Sequence, residues 1–358
     1  MTFLIAAAGT GGHVFPGLSV GEALIDLGVE RSDIMFVGGS RLEARVYPEE
    51  GFRFLQVELR GLQRSLALKN LTLPLVVVKA RNRIREAIGE HRVRAVLGMG
   101  GYVTIPAAMA ARRTGVPFLN SEQNAEAGLA NKVAARWADR SFGSFPETVG
   151  LSNAEWVGNP VRKPFWSFDR DTLRQSSLNH FDLREDLPVL GVFGGSLGAG
   201  VLNEAVTALA RNGVGRPFQI VHLTGEQHLS SMEEIDAAVG VIWRRFGFEE
   251  GMERFYASSD LVLARAGGAV AELTATASPS ILVPGQFGST GHQTENANYL
   301  TVSGAAITLL EEDLGQLPEV VSRYLFDRTQ LDEMRLSAAR IAKPDAARTI
   351  AQAMLDAT

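Results

Sequence analysis

Two glycine-rich stretches carry the residue types for anion chemistry: Gly9-Thr10-Gly11-Gly12-His13-Val14-Phe15-Pro16-Gly17 and Gly194-Gly195-Ser196-Leu197-Gly198-Ala199-Gly200. Each follows a short apolar run and opens a helical pattern. Backbone N–H groups at a helix start, unobstructed by side chains, form an anion site. A single loop of this kind is also an ordinary tight turn of any α/β protein. Two at the same topological point favour the anion reading. Neither has the dinucleotide spacing G-x-G-x-x-G, because Val14 occupies the third place in the first loop, and no Walker A sequence occurs. Nicotinamide and nucleoside-triphosphate chemistry are disfavoured accordingly.

His13 adjoins the first loop. An imidazole near the positive end of a helix resists protonation and stays able to accept a proton near neutral pH. His13 is therefore the leading candidate for a general base and Glu122 the second; the plainer role for His13 is to orient an anion or cap the loop. Glu272 follows the Gly267-Gly268 turn near a helix start. A carboxylate there can accept from two ribose hydroxyls or merely complement the helix dipole. His292 and Gln293 offer neutral donors, or a helix cap, in a stretch rich in glycine and serine. A rival of another class is a serine hydrolase: Gly194-Gly195-Ser196-Leu197-Gly198 fits G-x-S-x-G, with Asp260 and His292 downstream in hydrolase order. Asp169-Arg170-Asp171 has the D-x-D form of metal-dependent sugar transferases, but it lies in a polar connecting stretch where a solvated helix start explains it. The six histidines show no ligand spacing, so no metal and no cofactor is expected. His222, inside an apolar run, reads as a satisfied core residue.

Parallel strands buried on both faces must position these groups, and such strands read as continuous apolar runs. The runs are Thr2–Ala8, Asp33–Val37, Arg94–Leu97 and Val116–Asn120, then Pro188–Phe193, Gln219–Leu223, Asp260–Ala264 and Ser280–Val283. Alternation with helical patterns predicts doubly wound parallel sheets. Pro16 suits a first helical turn, with Gly28 closing a helix over Leu18–Leu27, and Gly115 closes Ala107–Thr114. The length of 358 residues suits two domains, with the junction near 160–166. Composition agrees with a soluble globular protein: 46% hydrophobic, 21% charged, and no run long enough to cross a bilayer. Cysteine is absent, which removes disulfides, thiolate metal sites and thiol nucleophiles. A net charge of −5 argues against nucleic acid as a partner. The N-terminus lacks a basic region ahead of its apolar run, so it does not read as a signal peptide.

Several stretches together resemble one family, the MurG glycosyltransferases. They are Gly9–Gly17, Leu97-Gly98-Met99-Gly100-Gly101-Tyr102-Val103, Glu122-Gln123-Asn124 with Ala127–Lys132, Val157–Arg162, Gly194–Asn203, and His292-Gln293 with Asn296-Ala297. They run in order over nearly the whole chain. The resemblance implies two doubly wound Rossmann-like domains of the GT-B type facing an interdomain cleft. Residues 1–162 would face acceptor and membrane, with helix 345–358 packing back onto them, and residues 163–344 would bind the UDP-sugar. The implied reaction is inverting transfer of N-acetylglucosamine from UDP-N-acetylglucosamine to the 4-hydroxyl of undecaprenyl-diphosphate-linked muramoyl-pentapeptide. Similarity to the donor site points to Asn124, Arg162, Ser196, Glu272 and Gln293, joined by Gly268, Ala269 and His292. Thr10, Gly11, Gly12 and Tyr102 belong to the matched stretches of the first half and are implied as substrate contacts. The chain departs from the family at Ser121, where histidine is frequent, and at Leu197, where glutamine is common. Arg265–Glu272 is one residue short, and Phe248-Glu249 shows little similarity where uracil is read. A helix start aimed at the departing diphosphate supplies charge stabilisation that a metal supplies elsewhere.

A lipid-linked acceptor requires a membrane. The apolar-rich Leu59–Val78 stretch, with Lys69, Lys79, Arg81, Arg83 and Arg85 in it or beyond it, suits peripheral attachment to an anionic surface at the cytoplasmic face of the plasma membrane. A core helix with a solvated basic end is the equal alternative. Related functional readings are a lipid glucosyltransferase of the same fold and a non-catalytic nucleotide-sugar binding module.

Overall fold

The computed structural model describes residues 2–58, 73–195, 197–232, 235–285 and 292–357. The chain divides into two compact units: residues up to Lys163 together with Lys343 onward, and Pro164–Ala342. In the first unit the strands are β1 (Thr2–Ala6), β2 (Ile34–Gly38), β3 (Arg53–Gln56), β4 (Val93–Gly98), β5 (Phe118–Glu122), β6 (Arg140–Gly143) and β7 (Glu155–Trp156). They form one sheet in the order β3-β2-β1-β4-β5-β6-β7, all pairs parallel. β1 and β2 are buried at every position, as their apolar sequences require. The outer β3, β6 and β7 carry Arg53, Gln56, Arg140 and Glu155 at exposed positions, and no apolar run announces them.

The helices of this unit are α1 (Gly11–Asp26), α2 (Glu43–Glu49), α3 (Leu73–Glu90), α4 (Thr104–Thr114) and α5 (Leu129–Ala134). Ala80, Ile84 and Ile88 of α3 and Ala107, Ala108 and Ala111 of α4 share one core with Leu4, Val37, Val96 and Phe118. Pro16 lies in the interior of α1 rather than in its first turn. The helix begins earlier than expected because the Thr10 carbonyl accepts from the His13 and Val14 N–H groups, at 3.0 and 3.1 Å. Gly28 at φ +94° and Gly115 at φ +71° end α1 and α4 in the left-handed backbone that glycine tolerates.

The second unit has β8 (Val189–Phe193), β9 (Phe218–Leu223), β10 (Val241–Phe246), β11 (Leu261–Ala264), β12 (Ser280–Leu282) and β13 (Ala306–Thr308). Their order is β10-β9-β8-β11-β12-β13, again parallel throughout. Its helices are α6 (Arg170–His180), α7 (Gly200–Asn212), α8 (Glu226–Leu229), α9 (Met252–Ser258), α10 (Ala269–Ala275), α11 (His292–Val302), α12 (Leu317–Tyr324) and α13 (Arg328–Ile341). The last helix, α14 (Ala346–Asp356), belongs to the first unit, where it packs on α1 and buries Ile350, Ala351 and Met354. In each sheet the order reverses once, at β1/β4 and at β8/β11. Such switch points open a crevice beyond the carboxyl ends of the strands. Among the described residues no helix is long and apolar enough to cross a membrane.

His222 on β9 is a core residue, but only half satisfied. Its Nε2 pairs with Asn203 Oδ1 at 3.0 Å, whereas Nδ1 is buried with no partner among the described residues. Burial, aided by the charge of Arg245, holds its pKa down at about 3. Between the ordinary imidazole value and that one, the unfolded chain takes up a proton that the native protein refuses. Stability is complete above about pH 6.5 and declines as pH falls toward about 3, by about 1.4 kcal/mol per unit. His222→Gln, which keeps a donor for Asn203, should lose that slope in chemical-denaturation curves recorded from pH 7 to pH 4.

Candidate active site

At the first switch point the β1–α1, β4–α4 and β5–α5 turns meet. Thr10 caps α1 in extended backbone, so Gly11, Gly12 and His13 form its first turn; the His13 N–H is taken by the Thr10 carbonyl, and those of Gly11 and Gly12 have no intrahelical acceptor. The His13 ring lies over Gly100: a Cβ on Gly100 would sit 2.5 Å from His13 Cδ2 and 3.2 Å from Gln123 Oε1. A Cβ on the next residue, Gly101, would fall 2.3 Å from the Ala8 carbonyl oxygen. Both glycines also hold positive φ, +94° and +77°. The Leu97–Val103 motif is thus a close-approach surface for the first glycine loop. His13 Nδ1 is 3.5 Å from Thr10 Oγ1. Burial lowers its pKa below the usual imidazole value, against the opposing pull of the Glu122 and Glu43 carboxylates. The direction is the expected one, and its leading cause is desolvation.

Glu122 is 2% exposed and accepts five hydrogen bonds: from the Gln123, Asn124 and Gly128 N–H groups and from Asn124 Nδ2 and Asn131 Nδ2, at 2.8–3.0 Å. That fills the roughly four lone-pair directions of a carboxylate. These bonds fold the β5–α5 turn around the carboxylate and hold Asn124 against it. Glu43, which no sequence pattern marked, is a second such tie. It is 1% exposed, and accepts from Gly9 N at 3.2 Å and Gly39 N at 2.9 Å. Tyr102 is half exposed at the β4–α4 turn, and the Arg162 guanidinium lies 5.9 Å from the Phe15 ring on α1.

At the second switch point the β8–α7 loop interlocks with the β9–α8 turn. A Cβ on Gly198 would lie 2.0 Å from the Thr224 carbonyl oxygen, and one on Gly225 2.5 Å from that of Leu197. Gln227 Nε2 donates to the Leu197 carbonyl at 3.0 Å, and Asn203 Nδ2 to that of Thr224 at 3.0 Å. Ser196 lies outside the described residues. Gly268 and Ala269 begin α10, whose first turn carries Glu272, and Glu272 Oε2 accepts from the Tyr256 hydroxyl at 2.9 Å. His292 opens α11 with Nδ1 buried and without a partner among the described residues. Gln293 Oε1 accepts from Gly285 N at 2.8 Å, which leaves its amide nitrogen as the donor end. Arg265 braces this edge through Glu311 at 2.5 Å and the Val283 carbonyl at 3.2 Å.

The hydrolase constellation does not assemble. Asp260 accepts from Val189 N at 2.8 Å, at the amino end of β8, and is paired with Arg170 and Arg174. The serine loop leaves the carboxyl end of the same strand, roughly 15 Å away at the rise of a β-strand. Asp169 caps α6 by accepting from Thr172 N and Oγ1, at 3.1 and 2.9 Å, so the D-x-D stretch is a helix start. Gly101→Ala meets backbone and should lower the unfolding free energy by more than about 2 kcal/mol. Gly100→Ala, which meets a movable ring, should cost less in the same denaturation experiment.

Residues 3–142 match the glycosyltransferase family 28 N-terminal domain, and residues 189–350 the family's C-terminal domain. A relative from Dechloromonas aromatica (strain RCB) is 40% identical over 355 residues, covering 98% of this chain and 97% of its own length. It is a UDP-N-acetylglucosamine--N-acetylmuramyl-(pentapeptide) pyrophosphoryl-undecaprenol N-acetylglucosamine transferase. A protein of the same name from Acidithiobacillus ferrooxidans (strain ATCC 53993 / BNL-5-31) is 40% identical over 364 residues, covering 99% and 97%. The crystal structure of Acinetobacter baumannii MurG aligns with a TM-score of 0.78 at 28% identity, over 99% of this chain and 100% of that one.

Proposed function

From its membership of glycosyltransferase family 28, to which both halves of the chain belong, we infer an N-acetylglucosaminyltransferase of peptidoglycan synthesis. The enzyme moves N-acetylglucosamine from UDP-N-acetylglucosamine to the 4-hydroxyl of undecaprenyl-diphosphate-linked muramoyl-pentapeptide, converting lipid I to lipid II. The observation that carries this reading is 40% identity over 98% of the chain to a transferase of that name.

Glycine-rich helix starts at the switch point of each unit support the following chemistry. The acceptor hydroxyl attacks the anomeric carbon from the face opposite the diphosphate, so the configuration inverts. The carbon–oxygen bond to UDP breaks, and its electron pair leaves on the diphosphate. In this reading the start of α7, with Ser196, faces that diphosphate, and its N–H groups stabilise the charge that develops. Glu272 accepts from the ribose hydroxyls, and Gln293 and His292 donate to the sugar. Asn124 and Arg162 complete the donor contacts, and Thr10, Gly11, Gly12 and Tyr102 hold the acceptor diphosphate. His13 takes the proton of the 4-hydroxyl. Its lowered pKa suits the task, because the ring stays neutral over more of the acidic range.

Attachment to an anionic membrane surface at the cytoplasmic face is the companion proposal. Residues 59–72, with Lys69, lie outside the described residues. Along α3, Val76, Ala80, Ile84 and Ile88 are core, whereas Leu75 and Val78 are exposed beside Lys79, with Arg83 and Arg85 exposed further along. The helix thus presents cations and two apolar side chains outward while its opposite face packs inward, a suitable edge for anionic lipid. Binding to sedimented vesicles should rise with their content of anionic lipid; indifference to that content would remove the membrane proposal.

Radiolabelled UDP-N-acetylglucosamine should transfer label only when the lipid-linked acceptor is supplied, and UDP-glucose should not replace it. Transfer of glucose, or release of UDP without acceptor, would sink the assignment. In the same assay His13→Ala should lower turnover about 10²–10⁴-fold while UDP affinity holds. The acid limb of wild-type kcat/KM should lie below about pH 6.5, since activity falls only as His13 gains a proton.

A further inference from the structure

Tyr256, on α9, stands behind the carboxylate of Glu272, at a position that neither glycine loop nor motif marks. Its side chain is 1% exposed, and its hydroxyl donates to Glu272 Oε2 at 2.9 Å. Three aromatic rings hold it nearly edge-on: Phe165 at 5.6 Å and 72°, Phe193 at 6.0 Å and 86°, and Phe255 at 5.5 Å and 79°. Edge-to-face contacts of this kind fix a ring more firmly than its buried area alone. Phe193 is the last residue of β8 and leads directly into Gly194. One ring therefore abuts the strand that delivers the second glycine loop and, through its hydroxyl, grips the carboxylate on α10.

A buried tyrosine ordinarily finds a partner for its hydroxyl, and a backbone carbonyl would serve. Here the partner is a charge-bearing side chain of the donor site, and a hydrogen bond to such an acceptor is of the stronger class. A glutamate side chain has several rotatable bonds, and ordering them opposes binding. A carboxylate already fixed at one oxygen meets its ligand with that ordering done.

We propose that Tyr256 is a positioning residue for donor recognition, fixing the Glu272 carboxylate in the orientation that accepts from the ribose hydroxyls. The proposal rests on the assignment of Glu272 to the ribose. Calorimetric titration of the full chain with UDP and with 2′,3′-dideoxy-UDP tests it. The wild type should bind UDP more tightly than the dideoxy compound, and Glu272→Gln should abolish most of that preference. Tyr256→Phe should weaken UDP about tenfold, the scale of one hydrogen bond to a charged acceptor. It should leave the dideoxy compound unchanged, which also reports an intact fold, and add nothing in the Glu272→Gln background. Equal weakening of both ligands by Tyr256→Phe, or no weakening of either while Glu272→Gln loses the preference, overturns the proposal alone. A wild type indifferent to the ribose hydroxyls overturns the Glu272 assignment and the proposal with it.

Discussion

A backbone contact governs the first unit's site: the β4–α4 turn lies so close to the β1–α1 turn that no side chain fits between them. The Ala8 carbonyl occupies the space where a Gly101 side chain would be, and the His13 ring occupies that of Gly100. Positive φ at both residues turns the chain out of the way. The parallel sheet imposes this proximity. β1 and β4 are neighbours whose carboxyl ends project side by side, and their connections run to opposite faces. His13 is half buried because a neighbouring turn lies against it, and that burial lowers its proton affinity against the pull of Glu122 and Glu43. Strand order thus reaches the imidazole through a single steric contact.

Around that contact the acidic residues divide their work. Glu122 and Glu43 are enclosed, and each uses its oxygens on backbone N–H groups of the site's turns. Their charges lower the cost of an imidazolium on His13 without needing to touch it, since an opposite charge nearby favours the protonated form. The second unit solves the same problem with interlocked carbonyls and glycines at Gly198 and Gly225, and with amide side chains at Asn203 and Gln227. Both arrangements satisfy buried polar backbone and leave helix starts directed outward from the strand ends.

The central strands were legible because burial on both faces writes an uninterrupted apolar run, as in Thr2–Ala6 and Val189–Phe193. The flanking β3, β6, β7, β10 and β13 were not. They are short or half exposed, and the charges of Arg53, Arg140, Arg244 and Arg245 disguise them. Glycine loops announced the two sites, since few other residues tolerate the backbone they need. The start of α1 is hidden in the sequence because Gly11 and Gly12 are poor helix formers by propensity, a preference that the Thr10 carbonyl outweighs. Glu122 was legible as a candidate but its five hydrogen-bond donors were not, because they come from a turn and a helix whose path no local pattern encodes. Tyr256 was invisible for a related reason: in sequence it is one aromatic in a short apolar helix, and its partner is contributed by α10.

The last helix of the chain, α14, packs on the first helix that follows β1, and it supplies Ile350, Ala351 and Met354 to that unit's interior. During biosynthesis the ribosome must therefore deliver the entire second unit before the first can close its own core. The usual order, in which amino-terminal domains finish first, is reversed: the second unit is a contiguous segment and can condense while α1 still awaits its cover. The helix that the first glycine loop opens therefore gains its full apolar cover only after residues 346–356 have been made.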